Sequence, residues 1–150
     1  MNQHTVHQLR VVVEAEDYEE AVAFYRDTLG LPEQAAFSEG GDDRVVILSA
    51  GHATLEIATP SHRQAIDRVE ADGSPSRRIR LAFEVDDTST TAQNLERAGA
   101  EVTALPTETP WRSLNARLEA PADLQITLFQ ELETVEERRR RPGFSDGTSG

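Results

Sequence analysis

The chain has 150 residues, 37% hydrophobic and 28% charged, which is the length and apolar content of one domain with a buried core. It has no cysteine, and all 15 basic residues are arginine, so disulfides, thiolate chemistry, Schiff-base lysines and phosphate-loop lysines are excluded. A formal charge of −12 repels phosphate backbones and argues against a nucleic-acid partner. There is no 18-residue apolar run to cross a membrane, and no membrane partner is expected. Met1 to His7 lacks the basic start and apolar core of a secretory leader, so a cytoplasmic location is expected.

In chain order, Leu9 to Val13 is β-branched and alternating, and predicts a strand. Asp17 followed by Glu20 has the arrangement of a capping box, and Tyr18, Ala21, Val22, Tyr25 and Leu29 recur at helical spacing on one face. Gly30 and Pro32 end that helix. Three strands are predicted next, over Glu33 to Ser38, Arg44 to Ser49 and Ala53 to Ala58, separated by glycine-containing turns.

The connection 61–78 holds a short helical pattern at Ala65, Ile66 and Val69, then the breaker Asp72-Gly73-Ser74-Pro75. The opening order then repeats. Ile79 to Val85 is a strand, Asp87 or Thr88 caps a helix through Ala92, Leu95 and Ala98, and Gly99 closes it. Strands follow at Glu101 to Leu105, Ser113 to Glu119 and Gln125 to Gln130. The offset is 70 residues from Arg10 to Arg80 and from Asp17 to Asp87, and 69 from Gly30 to Gly99, which implies an internal duplication.

One α+β domain over residues 1–132 is expected, built of two βαβββ modules at 8–60 and 79–131 that share a sheet. Residues 133–150 contain the run Arg138 to Arg141 between acids and a Gly/Ser/Thr end, and are expected to be a charged, disordered tail.

This order, with Asp17-Tyr-Glu-Glu-Ala-Val-Ala-Phe-Tyr-Arg-Asp-Thr-Leu-Gly-Leu31 and the closing segment Trp111 to Phe129, resembles the vicinal oxygen chelate superfamily, which includes glyoxalases, bleomycin resistance proteins and extradiol dioxygenases. The Phe24-Tyr25 and Leu29-Gly30 pairs are its most telling local features, and Ala120-Pro121-Ala122-Asp123 stands where the family's closing turn lies. The resemblance implies a cupped mixed sheet with helices outside and a ligand cavity inside. With the apolar strand phases turned to the helices, Arg10, Val12, Thr54, Glu56, Arg80, Ala82, Glu84, Gln125, Thr127 and Phe129 are expected to line the cup.

In metal-dependent relatives, four residues from the first and last strands of the two modules converge on the ion. The resemblance places those positions at Arg10, Glu56, Arg80 and Thr127, of which only Glu56 has a ligand chemistry. A guanidinium offers no lone pair and stays protonated, so Arg10 and Arg80 would repel a divalent ion. His4, His7, His52 and His62 show no zinc spacing. No metal and no cofactor are therefore expected.

Two readings of the cup stay open here. Either Glu56, with Glu14 or Glu84, pairs with both arginines and fills the metal position, or one arginine fork takes a carboxylate, phosphate or enolate oxygen of a ligand. Trp111, Arg112, Phe37 and Phe129 are candidates for the ligand wall or rim. The function expected is metal-independent binding of a small molecule. The alternative is a lyase, isomerase or dioxygenase with Glu56 as base. A third reading is an assembly protein without pocket chemistry. The resemblance implies a homodimer.

Overall fold

The structure, a computed structural model, describes residues 6–140. Eight strands form one mixed sheet: β1 (Val6–Glu14), β2 (Glu33–Ser38), β3 (Arg44–Ala50), β4 (Ala53–Ala58), β5 (Ile79–Val85), β6 (Glu101–Glu108), β7 (Ser113–Ala120) and β8 (Leu124–Glu131). Their order is β2-β3-β4-β1-β5-β8-β7-β6, so the second module repeats the first in reverse across an antiparallel β1–β5 junction. Within each module the first and last strands are parallel neighbours, β1 with β4 and β5 with β8. This is the expected α+β architecture.

Four helices complete it: α1 (Tyr18–Val22), α2 (Pro60–Ala71), α3 (Thr88–Arg97) and α4 (Val135–Arg139). Asp17 caps α1 by accepting from the Glu20 backbone N–H, and Asp87 caps α3 by accepting from Thr90. On the outer face, Val22 packs with Val46, Leu48 and Ile57, while Ala92 and Leu95 pack with Val85, Ala116, Leu118, Ile126 and Leu128. The apolar phases expected to meet helices at Leu55, Ile57, Leu81, Phe83, Val85, Ile126 and Leu128 lie in these two clusters.

Three local expectations are corrected. Tyr25 and Leu29 do not sit on the buried stripe with Val22; Leu29 is 61% exposed. From Ala23 to Thr28 the chain winds as a π-helix, with the Leu29 N–H donating to the Phe24 carbonyl, and the wider turn rotates the stripe off the sheet. Ile79, expected to face a helix, is exposed because α1 packs on β4 and α3 on β6 to β8, leaving the start of β5 between them.

The connection is no short helix but the 12-residue α2, capped by Thr59, begun by Pro60 and ended by Asp72 in the left-handed region. It crosses the concave face, packing on β3 and β4 at one end and β6 and β7 at the other. Its buried residues are Asp67, Glu70 and Ala71, and none of its residues belongs to either apolar cluster.

Of residues 133–150, expected to be a disordered tail, the structure describes 133–140, and Val135–Arg139 form α4. Thr134 and Glu137 cap α4 reciprocally, and Arg138 pairs with Glu131 at 2.9 Å. Arg141 onward and the leader reading at Met1 to Thr5 lie outside the described residues. Among the described residues no helix is long and apolar enough to cross a membrane.

Candidate functional site on the concave face

Strand alternation decides which side chains reach the concave face, and register decides which meet. Arg10 on β1 lies opposite Thr54 on β4 and Ala82 on β5, and Ala82 lies opposite Thr127 on β8. Thr127 lies opposite Arg117 on β7, and Phe129 opposite Asn115. α2 divides this surface into a covered and an open half.

Under α2 the Glu70 carboxylate is the centre. Its Oε1 accepts from Arg117 Nε at 3.0 Å and Thr127 Oγ1 at 2.7 Å, and its Oε2 accepts from Asn115 Nδ2 at 2.8 Å. Arg117 Nη2 lies 3.0 Å and Arg80 Nη1 4.0 Å from Oε1. Arg117 Nη1 donates to Asp67 at 2.9 Å, and Arg80 Nη1 donates to Thr127 at 2.7 Å. Arg63 joins Asp67 at 2.8 Å and Glu14 at 3.2 Å. Three guanidinium groups thus balance three carboxylates in a region where Arg117 is 1% exposed, as burial of charge requires.

The open half surrounds Arg10. Its guanidinium stacks 4.4 Å from the Phe129 ring centre, its Nε donates to Gln8 Oε1 at 2.9 Å, and its Nη1 approaches Glu56 only to 3.8 Å. Thr54 buries a hydroxyl that no protein group hydrogen-bonds. Glu131 lies in the same phase as Phe129, two residues on. Burial pushes its carboxyl above the usual range, opposed by Arg138 and Arg10.

Of the expected site residues, the structure brings Arg10, Glu56 and Phe129 together and sets Arg80 and Thr127 under α2. Phe37 is in the row of Val45, Ala58 and Glu14, four residues along β1 from Arg10, so it does not join that group. Trp111 is half-buried on the β6–β7 loop, next to the exposed Arg112, which lies 3.8 Å from Glu108. The pairing of Ser113 with Glu131 puts this loop at the rim of the open half.

The carboxylate that fills the second module's position is also not the expected one. Arg80 meets Glu70, rather than Glu56, Glu14 or Glu84. Asp67, Glu70, Asn115, Arg117 and Glu131 were not singled out from sequence. A signal existed in Asn115 and Arg117, polar residues alternating with Ala116 and Leu118 in an otherwise buried strand.

The residues present do not fit the family's metal ion. Of the four positions that the resemblance assigns to the ion, two hold Arg10 and Arg80, the Thr127 hydroxyl is committed to Glu70, and only Glu56 could coordinate. Among the described residues no three His, Cys, Asp or Glu groups converge. His7 pairs instead with Asp86, which raises its pKa, and His62 with Asp43.

Residues 10–129 match the family of glyoxalase-like domains. The chain belongs to that family. It therefore falls in the vicinal oxygen chelate superfamily, and solved structures agree with this glyoxalase-like domain in fold. A variant of 4-hydroxymandelate synthase from Streptomyces coelicolor is 25% identical with a TM-score of 0.60, over 89% of this chain and 40% of that one. The glyoxalase-like domain thus spans under half of the synthase. Methylmalonyl-CoA epimerase from Mycobacterium tuberculosis is 16% identical with a TM-score of 0.59, over 91% of this chain and 96% of that one. A glyoxalase/bleomycin resistance protein/dioxygenase superfamily member from Vibrio splendidus is 12% identical with a TM-score of 0.52, over 82% and 97%. A comparison with curated proteins finds no match.

Arg117→Ala leaves Asp67 and Glu70 buried without their shared cation, and should lower unfolding free energy by about 3–5 kcal/mol in urea titrations. Glu131 should titrate above an ordinary glutamate when followed by carboxyl NMR, and higher still in Arg138→Ala. Because its folded pKa is raised, its contribution to stability is present below the unfolded value and is lost as pH rises through the folded one.

Proposed function

We propose that this glyoxalase-like domain is a metal-independent small-molecule-binding protein that holds its ligand on the open half of the concave face. The observation that carries the reading is the difference between the two arginines at former ligand positions. Arg80 is consumed by Thr127 and Glu70, whereas Arg10 meets Glu56 only at 3.8 Å and keeps the outer edge of its fork for a carboxylate, phosphate or enolate oxygen. The Phe129 ring holds the guanidinium from one side. Trp111 and Arg112 would close the rim. A homodimer is the assembly proposed.

Glu56 gives a second, enzymatic reading its footing. It is a carboxylate beside a cation yet outside hydrogen-bond distance of it, and so could act as a base on a ligand held by Arg10. Relatives of the same fold include an epimerase and a synthase, whose reactions are consistent with this reading.

A thermal-shift screen of carboxylates and phosphates on chelator-treated protein tests both. Nickel, zinc, manganese and chelator should leave the unfolding temperature unchanged, and a stoichiometric ion bound through Glu56 would overturn the proposal. For a compound that does bind, Arg10→Gln should weaken affinity about tenfold to a hundredfold. Turnover of that compound, lost in Glu56→Gln, would select the enzymatic reading.

A further inference from the structure

The covered half of the concave face has the chemistry of a binding site that is already occupied. Arg117, Asn115 and Thr127 hydrogen-bond one carboxylate, that of Glu70, at 2.7 to 3.0 Å on both of its oxygens, and Arg80 from a third strand stands 4.0 Å away. The three donors and Arg80 are buried. We propose that this cradle is a binding site for a small carboxylate, and that Glu70 is its tethered resident, held there by α2.

Three observations support exchange of the occupant. First, the residues that α2 buries most deeply are two carboxylates and one methyl group, and both carboxylates are held by ion pairs. An incoming carboxylate can replace the Glu70 contacts one for one, keeping the buried charge balanced. Second, the helix tether spoils the match. Arg117 Nε and Nη2 both approach the same oxygen of Glu70, and Nη2 has no hydrogen bond although it is buried and only 3.0 Å away. An untethered carboxylate can present one oxygen to each arm of the fork, the geometry a guanidinium favours.

Third, open space lies against Glu70. A cleft of about 310 Å³ lies between the last turn of α2 and β6, lined by Arg68, Val69, Glu70, Ala71, Ala104 and Leu105 among others. Leu105 is 75% exposed there. A carboxylate with a short branched apolar tail could lay that tail along Val69, Ala104 and Leu105 while its head enters the cradle. Beyond the helix, Asp72 and Gly73 both have positive φ, which gives α2 a sharp end at which to pivot. This site shares no donor with the Arg10 site, so either can fail without the other.

The test is rescue. Full-length Glu70→Ala protein is melted in sodium formate, acetate or 3-methylbutanoate against sodium chloride at equal ionic strength. Carboxylate at tens of millimolar should raise the midpoint saturably, by about 4 °C or more over chloride, and Glu70→Ala/Arg117→Met should lose that rise. The parent should need far more, because its own carboxylate competes at a high effective concentration. No advantage over chloride, or a rise that persists without Arg117, would overturn the proposal. If Glu70→Ala folds in none of these salts, hydrogen exchange of the parent decides. Faster exchange across Pro60–Ala71 in 3-methylbutanoate than in chloride, with Thr88–Arg97 unchanged, is expected, and equal exchange in the two salts would overturn it.

Discussion

A guanidinium buried in the middle of a sheet must be neutralised where it stands, because the chain has no means of removing its proton. Arg117 imposes that condition on this fold. Its three nitrogens reach Asp67 and Glu70, which are three residues apart and therefore on one side of a helix, and both carboxylates are themselves almost wholly buried. The connection between the modules is thereby required to be helical, to lie on the concave face, and to sit at one height along β7. Asn115 and Thr127 complete the coordination of Glu70 and fix its orientation.

That constraint makes the two modules chemically unequal even though their strands repeat. In the sheet, Arg10 and Arg80 are equivalent positions near the β1–β5 junction. Only one of them lies beneath α2. Arg80 becomes part of a closed network, while Arg10 rests on Phe129 beside Glu56 with its fork turned toward the open half. An intramolecular ion-pair network thus engages one arginine of the pair, and the other keeps capacity to spare.

The strands and outer core were legible because each depends on local alternation that one-sided burial enforces. Leu55 and Ile57, or Ile126 and Leu128, leave one choice of face. The π-helical turn at Ala23–Thr28 was not legible, since the side-chain spacing of Tyr25 and Leu29 fits an ordinary helix and only the backbone bonding departs from it. The role of α2 was hidden for a different reason. Periodicity arguments search for an apolar stripe, and α2 turns acids inward, so Ala65, Ile66 and Val69 drew attention to the less buried side. Partners 47 to 57 residues apart, such as Arg117 with Glu70 or Thr127 with Glu70, cannot be matched from charge alone in a chain with 27 acids. The two arginines at Arg10 and Arg80 were visible through the repeat, but the helix that separates their fates was not.

The outermost strands carry a last consequence. β6 breaks register twice against β7, contains Pro106 and begins and ends with glutamate, and β2 breaks register once against β3 near Glu33. Such irregular, charged margins are poor templates for pairing with a neighbour's backbone. Copies of this chain are thereby discouraged from joining into a continuous ribbon, so that any self-association would have to use side-chain surfaces, where it can close on itself and stop.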